Sequence, residues 1–535
     1  MSFFEKCRNT PILARFILRR DRVRTPVWII SIISFTIMMA LLIPGLYTVG
    51  ADREIVAETM KNPSVTVMLG PGYGLDNYTD GAMMSHFMLL FTAVAVGIMS
   101  ILYTVRHTRE DEEKGRTEII RSLPTGHLSN LTAVIAVAVI MNVILFLAVG
   151  FGLYSLGFES MDFNGSMLYG AVLGATGIFF AALTGLFAQL SSNTRTVVGF
   201  SFGFLILAYF IRGIGDVENE MLSLLSPLGL ILRAQVYVNN YWWPVLLTLG
   251  ISIICFGFAL YLNSIRDLDS GFISARPGKV SASGLLGSPL GLALRLQKTT
   301  IIAWTIGMFV LGAAYGSVLG DLEGFLTTSD AIKQMIPEVE GFSITERFMT
   351  MLMTIMSILG TIPALMYVLR LRAEEKSART EQLHATAVSR SNVIGSYTLI
   401  GIAGTIIIQF VSIMGLWSSA ILVMDDPISL QTLLKAGFAH LPALWIMTGL
   451  AVILIGWAPR FTGMVWLYLG YSFFVVYLGG MLKLPDWMAK LSPFGHTPQV
   501  PVEEVKPLPV IVLTLIALVL VCIGFTGYNR RDIQE

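Results

Sequence analysis

Charge is what this sequence has least of. Only 13% of its 535 residues are Asp, Glu, Lys or Arg, against about 25% in ordinary soluble proteins. With 54% hydrophobic residues and a mean hydropathy of +0.71, that shortage excludes an ordinary soluble domain. Cysteine is scarce as well. Cys7, Cys255 and Cys522 form neither a metal-binding spacing nor a disulfide framework. Cys255 and Cys522 fall in apolar runs, where a small buried hydrophobe is expected. The sequence has no Walker A loop: Gly278-Lys279 is followed by Val280 and lacks the upstream glycine. Also missing are His-Glu-x-x-His, Cys-x-x-Cys and a nucleophile elbow. Gly70-Pro71-Gly72-Tyr73-Gly74 reads as a turn, and His86 and His440 as packed side chains. An enzyme is therefore not expected. No cleavable signal peptide is expected either, since the first apolar run follows a basic segment and is too long.

Long apolar runs are what the sequence does have. A run of about 20 residues can cross a bilayer as a helix. Twelve are expected, at 27–49, 83–105, 131–156, 167–190, 197–213 and 244–263, then 299–320, 348–369, 393–416, 433–457, 464–481 and 508–528. The fold class is thus an all-α polytopic membrane protein. Ionisable groups are nearly missing from these runs. Arg212 and Lys435 stand near predicted ends, where a long side chain can snorkel. Ion-coupled carriers usually keep carboxylates or histidines along the ion path, so self-contained ion coupling is disfavoured. Met83, Met84, Phe87, Met88 and Phe91 give the second run a soft apolar face, read as lipid-facing rather than drug-binding. Gly170, Gly174 and Gly177 permit close helix packing.

Two polar stretches interrupt the apolar pattern at matching places. Glu112-Glu113-Lys114-Gly115-Arg116-Thr117-Glu118 is answered by Glu374-Glu375-Lys376-Ser377-Ala378-Arg379-Thr380-Glu381, about half the chain later. Glu112 precedes Arg116, and Glu375 precedes Arg379, by the i,i+4 spacing that supports a surface helix. Helices are expected at about 107–122 and 370–386. They read either as solvated connectors or, because they are duplicated, as docking helices for a partner.

The duplication goes further. Trp28 and Trp304 are expected to begin the first span of each half. Leu225-Ser226-Pro227-Leu228-Gly229 is answered by Leu491-Ser492-Pro493-Phe494-Gly495, and Arg266-Asp267-Leu268 by Arg531-Asp532-Ile533. The expected organisation is an interfacial elbow at 1–25, a six-span half at 26–263, a linker at 264–298 and a second six-span half at 299–535. In the elbow, Ile12, Leu13, Phe16 and Ile17 lie opposite the arginines, as in a helix along the membrane surface. Six spans per half make the repeats parallel. Placing the N-terminus inside puts most of the 36 Lys and Arg residues on the cytoplasmic side. Both termini, the linker and both Arg-Thr-Glu stretches are then cytoplasmic. Long acidic segments, with Glu54 and Glu58 in one and Glu338 and Glu340 in the other, read as outer caps.

Together, the Glu-Glu-Lys-Gly-Arg-Thr-Glu stretch between spans two and three, Ile211-Arg212-Gly213-Ile214-Gly215-Asp216, and the Leu-Ser-Pro-x-Gly pair resemble ABC-2-type transporter permeases. More narrowly, they resemble the fused two-half permeases of the polyketide-antibiotic, tetronasin type. The sequence departs where an aromatic often follows that glycine, having Leu230 and His496 instead. The resemblance covers essentially the whole chain. It implies a type V exporter-like fold and an exporter subunit in the bacterial cytoplasmic membrane moving small hydrophobic or amphiphilic compounds. The subunit would have no cofactor of its own, ATP and Mg being bound by two copies of a separate ATPase; no nucleic-acid partner is expected. Glu112, Glu113, Arg116, Thr117, Glu118, Glu374, Glu375, Arg379, Thr380 and Glu381 would dock the ATPases. Spans two and five of each half would line the path, with Phe87, Met88, Phe91, Phe202, Phe204, Met353, Tyr468 and Phe473 as candidates. Alternatives are a permease for a lipid or cell-envelope precursor, a twelve-span secondary carrier and, more remotely, a membrane-embedded enzyme.

Overall fold

The computed structural model describes residues 3–46, 51–61, 63–273, 280–321, 344–424, 428–478, 484–500, 502 and 507–532. The second outer segment, with Glu338 and Glu340, lies outside them, as do Gly278-Lys279 and Ile533. No strand occurs among the described residues; Ser191 and Ile273 form an isolated bridge. Among the described residues, eleven helices are long and apolar enough to cross a membrane, and Met464–Tyr477 is a shorter apolar one. Together they correspond to the twelve expected spans. The chain divides into two compact units, Met1–Gly278 and Lys279–Glu535.

After a short helical turn at Phe3–Lys6, the first unit continues with α1 (Thr10–Arg20), whose Leu13 and Ile17 are buried while Ile12 and Phe16 stay exposed. The long helices follow as α2 (Arg24–Leu46), then, after the short α3 (Ala51–Met60) and α4 (Pro63–Leu69), α5 (Asp80–His107). Beyond α5 lie α6 (Arg109–Glu113) and α7 (Arg116–Arg121). Long helices α8 (Ser129–Tyr154), α9 (Phe163–Leu190) and α10 (Thr194–Glu218) come next. The short α11 (Glu220–Leu225) and α12 (Pro227–Leu232) lead to α13 (Trp243–Ile265). Of these spans α9 is the most buried. Its glycines set how closely it meets α8, since a side chain at Gly170 would run into the Phe146 carbonyl. Small residues let helix backbones approach in this way.

The second unit runs α14 (Pro289–Val318), α15 (Ile344–Lys376), α16 (Arg379–His384) and α17 (Arg390–Val423). It continues with α18 (Leu430–Phe438), α19 (Leu441–Trp457), α20 (Met464–Leu478), α21 (Asp486–Lys490) and α22 (Pro507–Arg530). Side chains at Gly312 and Gly316 of α14, and at Gly320 in the turn just after it, would strike backbone carbonyls of Ser412, Leu416 and Val423 on α17. These two helices therefore meet backbone to backbone over that length.

Several expectations need correction. Trp304 sits within α14 rather than at a span start, because elbow and span form one continuous helix in this unit. Met83 and Met84 are fully buried in the core of the first unit, not lipid-facing; only Phe91 of that group is well exposed. Cys522 is exposed. The fifth span is longer than expected because it does not stop at Arg212. That guanidinium is fully buried and does not snorkel: Asp216, one turn on, faces it at 3.3 Å. Lys435, by contrast, is exposed.

Candidate functional site

At one end of each unit the duplicated polar stretch folds the same way, and not as a continuous helix. α5 and α6 run to Glu113, then Gly115 takes a left-handed φ of 68° before α7 begins. α15 runs to Lys376, and Ala378 takes φ 54° before α16 begins. Glycine adopts such angles freely, whereas alanine is strained there. The break removes the expected i,i+4 pairs. Arg116 instead reaches Asp111 at 2.9 Å, and Arg379 reaches Glu374 at 3.0 Å.

One carboxylate before each break is buried. Glu112 is buried, pairs with the Arg109 guanidinium at 2.8 Å, and accepts from Arg266 at 2.9 Å and from the Asp269 backbone N–H at 2.8 Å. Glu375 is buried between Arg372 at 3.2 Å and Arg531. Arg266 and Arg531 follow the last long helix of their units, so the same latch closes both. Burying a carboxylate is strongly unfavourable unless it is paired and hydrogen-bonded, and each has two guanidinium partners. Asp111 is likewise held, by Arg20 of the elbow at 2.5 Å. Glu374 has Arg370 at 2.5 Å. Glu113 accepts from the Thr194 backbone N–H at 2.6 Å, at the start of α10.

The remaining predicted residues split by burial. Thr117 and Thr380 are buried, and neither hydroxyl has a partner among the described residues. Thr117 borders a cavity of about 20 Å³ with Asn263 and Arg266, large enough for one water. Arg116, Glu118, Arg379 and Glu381 are exposed. Beside Glu118, Ile119 and Leu123 are also largely uncovered. Burial, with Arg121, Arg266 and Lys6 nearby, holds the His127 imidazole below its ordinary range. Burial and Arg390 do the same to His384. Reasoning from sequence missed Arg109, Asp111, Arg372 and the roles of Arg266 and Arg531. The duplicated Arg-Asp after each last span was the available signal.

The opposite end of the first unit explains the other quoted motif. Arg212 donates to the Val67 carbonyl at 2.6 Å and the Thr66 carbonyl at 3.3 Å, in the last turn of α4, where a cation complements the helix end. Its guanidinium stacks over Tyr209, 4.6 Å from the ring centre. Ser223 donates to Asp216 at 2.6 Å and lies where side chains at Gly215 or Gly229 would collide with it. Ser226 donates to the Ala208 carbonyl at 2.6 Å and caps α12. Ser492 caps the corresponding turn in the second unit. Arg-Gly-x-Gly-Asp and Leu-Ser-Pro-x-Gly are thus two parts of one interlock.

The predicted path residues differ in burial within each unit. Phe204 packs among Phe179, Phe180 and Phe187, at ring distances of 6.1, 6.5 and 6.4 Å. Met353 is fully buried. Phe87, Met88, Phe202 and Tyr468 are half-buried, and Phe91 and Phe473 exposed. Tyr468 donates to the Leu491 carbonyl at 2.7 Å.

Over residues 14–262 and 286–529 the sequence matches the family described as "Multidrug efflux system permease Rv1217c, C-terminal domain". The multidrug efflux system permease protein Rv1217c of Mycobacterium tuberculosis is 32% identical over 533 residues, covering 98% of this chain and 95% of that protein.

Proposed function

Because the chain belongs to the multidrug efflux system permease family typified by Rv1217c, we propose that it is the membrane subunit of an ABC-2-type exporter. Its cargo in this reading is amphiphilic drug-like compounds, and its energy comes from two copies of a separate ATPase that bind ATP and Mg. The observation that carries this reading is the repeated latch. In each unit a left-handed break sets off a short helix, a buried carboxylate ties its base to the arginine after the last span, and Glu118 or Glu381 faces outward. A partner pressing on α7 or α16 would meet a rigid base rather than a frayed connector. The end bearing the latches is cytoplasmic, following the basic residues gathered there. Exposed Ile119 and Leu123 suit burial under a docked subunit.

The test is co-expression of the chain with candidate ABC ATPase subunits from the same source, followed by purification, native mass measurement and assay of drug-stimulated ATP hydrolysis. One permease chain with two ATPase chains, and hydrolysis that rises with exported drugs, is expected. A complex with two permease chains, or no association at all, overturns the reading.

A further inference from the structure

α1 is pinned along one side. Leu13 and Ile17 are buried, the Asn9 side chain donates to the Pro124 carbonyl at 2.7 Å, and the Leu128 N–H donates to the Lys6 carbonyl at 2.9 Å. Just past its end, Asp21 takes Arg106 at 2.9 Å and His107 at 2.6 Å from the last turn of α5. The opposite side is held out, with Ile12 66% and Phe16 51% exposed. Beside them by helical spacing stand Arg15 and Arg19, both exposed. Arg22, in the turn that follows, and Arg24, at the start of α2, are exposed as well.

These four arginines have no ion pair and no side-chain hydrogen bond among the described residues. At the neighbouring latch, by contrast, Arg106, Arg109, Arg116 and Arg266 each have a carboxylate. Like charges one turn apart destabilise a helix, and Arg15 and Arg19 are so placed. The helix dipole accounts for Arg19, a cation in the last turn, but not for Arg15, Arg22 or Arg24. One turn further on, α2 becomes apolar on its exposed side, with Val27, Trp28 and Ile30 uncovered. Tryptophan is enriched where membrane meets water, so the arginines stand at headgroup depth. The second unit differs here. Counting back from Trp304 as from Trp28, the four places hold Gly291, Arg295, Lys298 and Thr300, and half of the cations are gone.

We propose that the exposed side of α1, with the turn into α2, is a binding surface for anionic phospholipid headgroups. Phosphates lie across Arg15, Arg19, Arg22 and Arg24, while Ile12 and Phe16 dip among the upper acyl carbons. Arginine suits this task because its planar fork donates two parallel hydrogen bonds to a phosphate. A soluble polyanion would meet the charges but leave Ile12, Phe16 and Val27 bare, which favours the lipid. The second unit, with fewer cations, binds such lipids more weakly.

The probe is 1-palmitoyl-2-oleoyl-phosphatidylglycerol, titrated into the purified full chain in neutral detergent, with bound lipid counted by native mass measurement. Phosphatidylcholine with the same acyl chains is the comparison. The anionic lipid should bind at least about tenfold more tightly, each arginine contributing about fivefold. Arg15→Gln with Arg22→Gln and Arg24→Gln should remove most of that preference. Melting should not change, because these side chains have no partner to lose. The same three positions changed to lysine keep the charge and should keep most of the preference. Ile12→Ser with Phe16→Ser should weaken both lipids alike. Equal binding of the two lipids overturns the proposal, as does a preference that survives the three glutamines. It also fails if Arg295→Gln with Lys298→Gln removes as much. Displacement of the lipid by glycerol 1-phosphate or polyglutamate would assign the surface to a soluble anion instead. None of these measurements involves transport, so their failure leaves the efflux reading untouched.

Discussion

Arg266 Nη2 lies 2.9 Å from Glu112 Oε2, so the chain leaving the sixth long helix of the first unit is held by a carboxylate beyond its second. Glu375 and Arg531 repeat the relationship in the second unit.

Removing one partner of such a buried pair should be costly. Glu112→Gln and Glu375→Gln are each expected to destabilise their unit by about 3–5 kcal/mol, since two guanidinium groups are left facing a neutral amide. Thermal unfolding in detergent measures this. A cycle with Arg266→Met should show coupling of at least about 1 kcal/mol; additive effects would mean that the pair is not a tie.

The two left-handed residues make opposite predictions. Ala378→Gly relieves backbone strain and should stabilise by roughly 1 kcal/mol, and Gly115→Ala should lose a similar amount. Among the described residues nothing lies within 4 Å of a side chain at Gly115, so backbone conformation alone decides the result. Melting shifts of the same sign in both variants would count against it.

Glu118→Arg with Glu381→Arg tests docking. Both glutamates are exposed and outside the latches, so insertion and melting should stay unchanged. If each meets a cation across a partly desolvated interface, the reversal removes about 2–5 kcal/mol of binding, and ATPase co-purification or drug-stimulated hydrolysis is lost. Glu54→Arg, at the other end of the first unit, is the control. Normal coupling in the double variant would leave the two glutamates as a solvated face.

The interlock around Asp216 carries its own test. Asp216→Asn leaves Arg212 buried without its counter-charge, with about 3–5 kcal/mol lost. Because Arg212 also holds the end of α4, limited proteolysis should open the segment between residues 51 and 79 first. Unaltered cleavage there, despite a lower melting temperature, would localise the damage elsewhere.

Orientation can be read with single cysteines in a cysteine-free background. Lys114→Cys and Asn77→Cys, both at exposed positions, should differ, with an impermeant maleimide reaching only residue 77 in intact cells. Labelling of residue 114 from outside would reverse the assigned sidedness.

The long helices were legible because hydropathy accumulates over some 20 residues, and no single position decides it. Arg212 shows where that averaging fails. Its charge ended the expected span at 213, whereas the partner one turn later let the helix continue to Glu218. The breaks after Glu113 and Lys376 were illegible for a different reason. Gly115 can start a left-handed turn but need not, and Ala378 carries no such signal at all. Glu112 and Glu375 read as surface charges, because Arg266 and Arg531 stand some 150 residues away and only the fold brings them near. The repeated Arg-Thr-Glu and Arg-Asp sequences located the right segments without revealing that they touch.

Each unit completes its own latch, from its second long helix to the residue after its last. The connection near residues 274–279 is therefore not needed to fasten either one. A gene divided at that point, with a start codon supplied to the second piece, should yield two polypeptides that each insert and fold. Co-expression would then restore export, and the fused chain would prove a convenience of synthesis, guaranteeing equal numbers of two unlike halves.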